Sequence, residues 1–169
     1  MDKQKTHAMR HSLAHIMAAA VQKMWPSAKF GVGPVVDNGF YYDIDIDGTT
    51  ISEDDFGRIE KQMRAIIAQD VQFEQFEMPI GQAINWAKQN NQPYKEQLLN
   101  DLKRSGTTIA KELDSDELGI ETTGDAAIDS VSFYKCGEFV DLCRGPHLES
   151  TGQVGAFKLQ RVAGAYWRG

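Results

Sequence analysis

Cysteine is scarce in this chain, with Cys136 and Cys143 the only two among 169 residues. Two thiols do not make a disulfide framework, so a reducing, cytoplasmic setting is the default expectation. No apolar run approaches the roughly 20 residues of a membrane span, and no membrane partner is expected. The polar stretch from Met1 to Arg10 lacks the apolar core of a signal peptide. Basic residues are outnumbered, 18 against 24 acidic ones, for a net charge of −6. That balance argues against a free-standing, non-specific nucleic-acid binder. It leaves room for a domain that touches only the end of an RNA held elsewhere. Internal repeats and low-complexity tracts are absent. The length suits one large domain, or one with a small α+β appendage near residues 71–105.

The apolar pattern predicts an α+β fold, helices packed on a mostly antiparallel sheet. A first helix is expected from Gln4 to Met24, stopping before Trp25-Pro26. Phe30 to Val36 reads as a strand with Gly31 and Gly33 inside it, turned at Asp37-Asn38-Gly39 into a second strand, Phe40 to Ile46. Alternation sends Phe40, Tyr42, Ile44 and Ile46 one way and Tyr41, Asp43 and Asp45 the other. Ser52 caps a helix with the stripe Phe56, Ile59, Met63, Ile66 and Ile67. Val71 to Met78 is a strand, Pro79 opens a helix, and Tyr94 to Leu102 forms another. Val131–Tyr134 and Glu138–Leu142 make a hairpin turned at Cys136-Gly137, and Phe157 to Val162 a last strand. Residues 105–129, rich in Gly, Thr and Asp, read as a long exposed connection.

Two short motifs answer each other across the chain. His11-Ser-Leu-Ala-His15 places two imidazoles four apart on one helix, hence on one face. Leu13, Ile16, Met17, Ala20, Val21 and Met24 form a core stripe nearly opposite. Small residues, Ala8, Ala18 and Ala19, flank the histidines where a solvated face would carry Lys and Glu. The helix is therefore expected to line a cleft. Asp141-Leu-Cys-Arg-Gly-Pro-His147 repeats the spacing with Cys143 and His147 in a Gly-Pro loop. His11, His15, Cys143 and His147 could hold zinc with N/S ligands. They could equally line a metal-free pocket where water is activated, with a histidine as base or a lysine whose pKa burial lowers. Asp141 shares a strand face with Cys143 and can orient an imidazole or hold a substrate amine. A Cys-His nucleophile is a weaker third option, since nothing marks Cys143 as a thiolate.

The two motifs, with Gly33-Pro-Val-Val-Asp-Asn-Gly-Phe-Tyr-Tyr-Asp43 and the closing Gly164-Ala-Tyr-Trp-Arg-Gly169, resemble the editing (second additional) domain of bacterial-type threonyl-tRNA synthetases. The histidine and cysteine spacing alone is shared with alanyl-tRNA synthetase editing domains. The resemblance implies hydrolysis of mischarged seryl-tRNA(Thr) at the terminal adenosine ester. It implies His11, His15, Lys95, Asp141, Cys143 and His147 as the catalytic set, with Gly33, Pro34 and Tyr42 at the substrate. It implies that no zinc is required. The 3′ end of tRNA(Thr) would be the partner, with the rest of the synthetase in cis. The family's ubiquitin-like, aminoacylation and anticodon-binding domains have no counterpart in these residues, so no ligase activity is expected. The competing readings are a zinc hydrolase of another small ester or amide, and a non-catalytic tRNA-end binding module.

Overall fold

A three-stranded antiparallel sheet divides the interior between two cores. It is formed by β5 (Phe73–Pro79), β6 (Ser130–Cys136) and β7 (Phe139–Leu142), in that order. The computed structural model describes residues 3–33, 35–46, 48–105, 130–143 and 145–163. The expected connection at 105–129 lies, beyond Ser105, outside the described residues, as do Pro34 and residues 164–169.

Successive strand residues face opposite ways, and register aligns like with like. Phe76, Phe133 and Leu142 are opposed across the three strands, and with Val131 they pack against α3 (Ile80–Gln89) and α4 (Pro93–Ser105). The other face presents Phe73, Cys136 and Phe139 to α1 (Lys3–Met24) and α2 (Phe56–Ala68). Among the described residues all strand pairing is antiparallel, and no helix is long and apolar enough to cross a membrane. The α+β expectation therefore holds.

Four differences from the sequence expectation have physical causes. The strand expected over 30–36 is broken. β1 (Lys29–Phe30) pairs with β4 (Ile44–Asp45), while β2 (Val35–Val36) pairs with β3 (Gly39–Phe40) one residue out of step. The extra residue sits at the glycines, where a Cβ on Gly33 would lie 2.4 Å from the Tyr42 ring. The β6–β7 turn is Gly137-Glu138, since Cys136 pairs with Phe139. Phe157 to Val162 forms no strand: Phe157 and Leu159 drop onto the first core, and Leu159 N–H is taken by Glu60 Oε2, 3.0 Å away. The histidine side of α1 is buried like its apolar stripe. The helix is packed on both faces, with Leu13 and Ile16 buried alongside His11 and His15.

The far end of the sheet gains a fourth member. Phe73 N–H bonds to Glu149 O at 3.0 Å, and Gln72 bridges Ser150. Thr151, fully buried, accepts from Val71 N–H and donates to Ile66 O, tying this segment to the end of α2.

Candidate active site

Each motif histidine reaches the site because α1 lies across the β6–β7 face. His11 and His15 are 2% and 4% exposed. Ser12 between them accepts the Leu148 N–H at 2.9 Å and donates to Ala8 O at 2.8 Å. One hydroxyl thus ties the helix to the loop that carries His147. That loop lies flat on the sheet: the His147 ring stacks on Tyr134 with centroids 3.9 Å apart. Gly145 has φ of +94°, and a Cβ there would meet Tyr134 Oη at 2.8 Å, so glycine is required on both counts.

Cys143 Sγ lies 3.5 Å from His11 Nδ1 and 4.0 Å from His147, and it accepts the Gly145 N–H at 3.4 Å. Ligand atoms of His11, Cys143 and His147 all fall within 4.8 Å of one another. A tetrahedral zinc would set sulfur and nitrogen about 3.6 Å apart, given bond lengths of about 2.3 and 2.05 Å. The set therefore fits three ligands and an open position. His15, expected as a fourth, stands outside this group; it meets His147 by ring contact at 4.5 Å.

The second half of the site is charged. Lys95, in the first turn of α4 and 1% exposed, places Nζ 2.9 Å from Asp141 Oδ1, whose residue is 2% exposed. Burial pushes the Asp141 carboxyl well above the ordinary carboxylate range, against the pull of the Leu142 N–H. At this separation one proton can pass between the two groups. His15 is held down to about 3, by burial first and then by His11 and Lys95. His147 is lowered by burial, then by His15, His11 and His7. Both imidazoles are therefore uncharged at neutral pH. His15 Nδ1 and Asp141 Oδ2 are buried without a hydrogen-bond partner among the described residues, which leaves a nitrogen and a carboxyl oxygen to serve a bound polar group. A cavity of about 60 Å³ adjoins the pair, lined by Gln22, Gln92, Lys95, Glu138, Phe139 and Asp141. None of the histidines lines it.

Of the substrate-binding candidates, Tyr42 packs edge-on against Phe30 and Phe139, with Gly33 beneath its ring. Phe139 in turn touches His15, so Tyr42 is one ring removed from the imidazoles. Sequence reasoning missed four residues. His7 extends the four-residue spacing by one turn, its ring 4.7 Å from His11. Tyr134 is the cross-strand partner of Asp141 and would have emerged from a hairpin centred on Gly137-Glu138. Asp43 is raised by burial with Lys95 opposing. Gln92 had no local signal.

Residues 131–166 match the model of the threonyl and alanyl tRNA synthetase second additional domain. The chain matches that model over 36 of its 169 residues. Over 162 residues it is 44% identical to the threonine–tRNA ligase of Acetivibrio thermocellus, covering 96% of this chain and 22% of that one. The Clostridioides difficile and Bdellovibrio bacteriovorus threonine–tRNA ligases are each 42% identical, over 99% and 98% of this chain. The chain thus spans about a fifth of the length of the threonine–tRNA ligases it matches. The match to the second additional domain takes in Asp141, Cys143 and His147. The similarity to the ligases extends over nearly the whole sequence, which includes the span from His11 through Lys95.

Proposed function

We propose that this domain proofreads threonyl-tRNA, hydrolysing the seryl ester of mischarged tRNA(Thr) at the terminal adenosine. The Lys95–Asp141 contact carries the reading, because it sets a buried, proton-sharing pair beside uncharged imidazoles. With Asp141 holding the shared proton, the Lys95 amine takes a proton from water as the oxygen adds to the ester carbonyl. The intermediate then collapses, its ribose oxygen leaves, and Lys95 returns the proton to it. The products are serine and tRNA with a free terminal hydroxyl. Neutral His15 and His147 can orient the water and the ribose hydroxyls, and His11 lies against both His147 and Cys143. General-base contributions of this kind are about 10²- to 10⁴-fold.

A first site that binds threonine by its hydroxyl cannot fully reject serine. The missing methyl is worth only about 1–3 kcal/mol. A second, tighter pocket sorts the other way, by excluding the methyl. The partner is the 3′ end of tRNA(Thr), with the remaining domains of a synthetase gripping the tRNA body. A net charge of −6 fits few phosphate contacts.

The zinc-hydrolase alternative has one specific support, the three-ligand group of His11, Cys143 and His147. Bound zinc would polarise a carbonyl or acidify water. The deciding experiment presents seryl- and threonyl-tRNA(Thr) to the chain, alone and joined to a synthetase, with and without chelator. Fast loss of serine, slow loss of threonine and indifference to chelator are expected. Equal hydrolysis of both esters in both formats sinks the sieve, and abolition by chelator hands the site to zinc.

A further inference from the structure

Lys95 owes its position to contacts made away from Asp141. Gln92 is 8% exposed and spends its whole amide on fixed partners. Its Oε1 accepts the Phe30 N–H at 2.9 Å, and its Nε2 donates to Ala28 O at 3.1 Å and to Asn90 O at 3.4 Å. Its backbone N–H bonds to Ala87 O at 2.8 Å, and its carbonyl accepts the Glu96 N–H at 3.0 Å. That last bond is the first of α4, so one residue both starts the helix and fastens it to β1. Two residues on, Tyr94 Oη donates to Asp45 Oδ2 at 2.5 Å. Asp45 is on β4, paired with Lys29 of β1. Both links therefore land on one two-stranded ribbon, and the next residue is Lys95.

We infer that Gln92 and Tyr94 form a clamp that seats Lys95 against Asp141, as positioning residues for the reaction. Only a side chain with an acceptor and donors at one tip can satisfy Phe30 N–H and Ala28 O together. An apolar replacement leaves both backbone groups buried and unmet, and the start of α4 shifts to relieve them. Asp43 belongs to the same arrangement. It lies two residues before Asp45, hence on the ribbon face that meets α4, and its interaction with Lys95 fits that placement. Lys95 is thus held against Asp141, with Asp43 near enough to act on it electrostatically. A shift of about 1 Å in such a group can cost about 10²-fold in rate.

The inference rests on the catalytic reading of Lys95, so its test includes one measurement that does not. Gln92→Met, Lys95→Ala and the double variant are compared with the parent chain for seryl-tRNA(Thr) deacylation. Gln92→Met should lower kcat about 10²-fold with KM held, and the double variant should be no slower than Lys95→Ala alone. Losses that multiply in the double variant, or a folded Gln92→Met with parental kcat, overturn the clamp. The second measurement is the rate at which an amine-acylating reagent modifies Lys95, read by mass spectrometry. Gln92→Met should speed it at least tenfold, and an unchanged rate overturns the clamp. If Lys95→Ala is itself fully active, the catalytic role falls and the labelling rate alone decides the seating. Should Gln92→Met not fold, Tyr94→Phe removes the other link and is judged by the same outcomes.

Discussion

The thiol of Cys143 lies 3.5 Å from His11 Nδ1 across 132 positions of chain. With His147 it forms a group that can accept a metal, yet nothing in the proposed reaction requires one. Purified protein should carry well under one zinc per chain. Added cobalt(II) should give a thiolate absorption that vanishes in Cys143→Ser and His11→Ala and survives in His15→Ala. One tightly held zinc per chain after purification would count decisively against the metal-free mechanism.

His15 makes the fold sensitive to acid. Its pKa falls from 6.5 in the unfolded chain to about 3 in the folded one. Above the higher value both states are neutral and His15 contributes no slope. Between the two values the unfolded chain binds a proton that the native state refuses. Stability should therefore fall as pH drops through that window, by about 1.4 kcal/mol per pH unit from this group. Urea midpoints measured from pH 7 to pH 4 should show the slope, and His15→Gln should lower it by about one proton. The same slope in parent and variant would remove His15 from the effect.

Asp141 gives the opposite slope once its partner is removed. Its native carboxyl keeps its proton to a higher pH than the unfolded one, whose value is 3.8. Stability therefore declines as pH rises above that value. In the parent chain the pair shares one proton, as many as unfolded Lys95 and Asp141 hold together above that value, and the decline is offset. In Lys95→Met it should be steeper, and in Lys95→Met/Asp141→Asn it should disappear. A Lys95→Met variant whose stability is flat between pH 4 and 8 would show that Asp141 ionises freely in the native state.

Gly33→Ala should collide with Tyr42, because the added Cβ would stand 2.4 Å from Cδ2. Overpacking of this kind costs about 1–3 kcal/mol. Thermal melts should show Gly33→Ala/Tyr42→Ala less destabilised than the sum of the single variants. Strict additivity would place the strain elsewhere.

The elements that announced themselves in sequence were those whose signal is local. The paired spacings of His11 with His15 and of Cys143 with His147 were visible because a helix and a tight loop convert short separations into shared direction. Asp141 was found because strand alternation placed it beside Cys143. Gln92 could not be found this way, since its partners, Phe30 and Ala28, are 62 and 64 positions distant. Tyr134 was missed through a one-residue error in the turn, which reassigns every cross-strand partner. The burial of His11 and His15 ran against the usual one-sided helix, because α1 is covered on two sides.

The loop bearing His147 is short and tied at both ends. It leaves β7 at Cys143, level with Ser132 of β6, and rejoins the sheet at Glu149, beside Phe73 and level with Cys136. Six residue steps cross from one side of the sheet to the other, and they pass over Tyr134. The span works like a short bridge between fixed banks. Its length fixes where His147 can stand, so a deletion there must unpick strand pairing at one end.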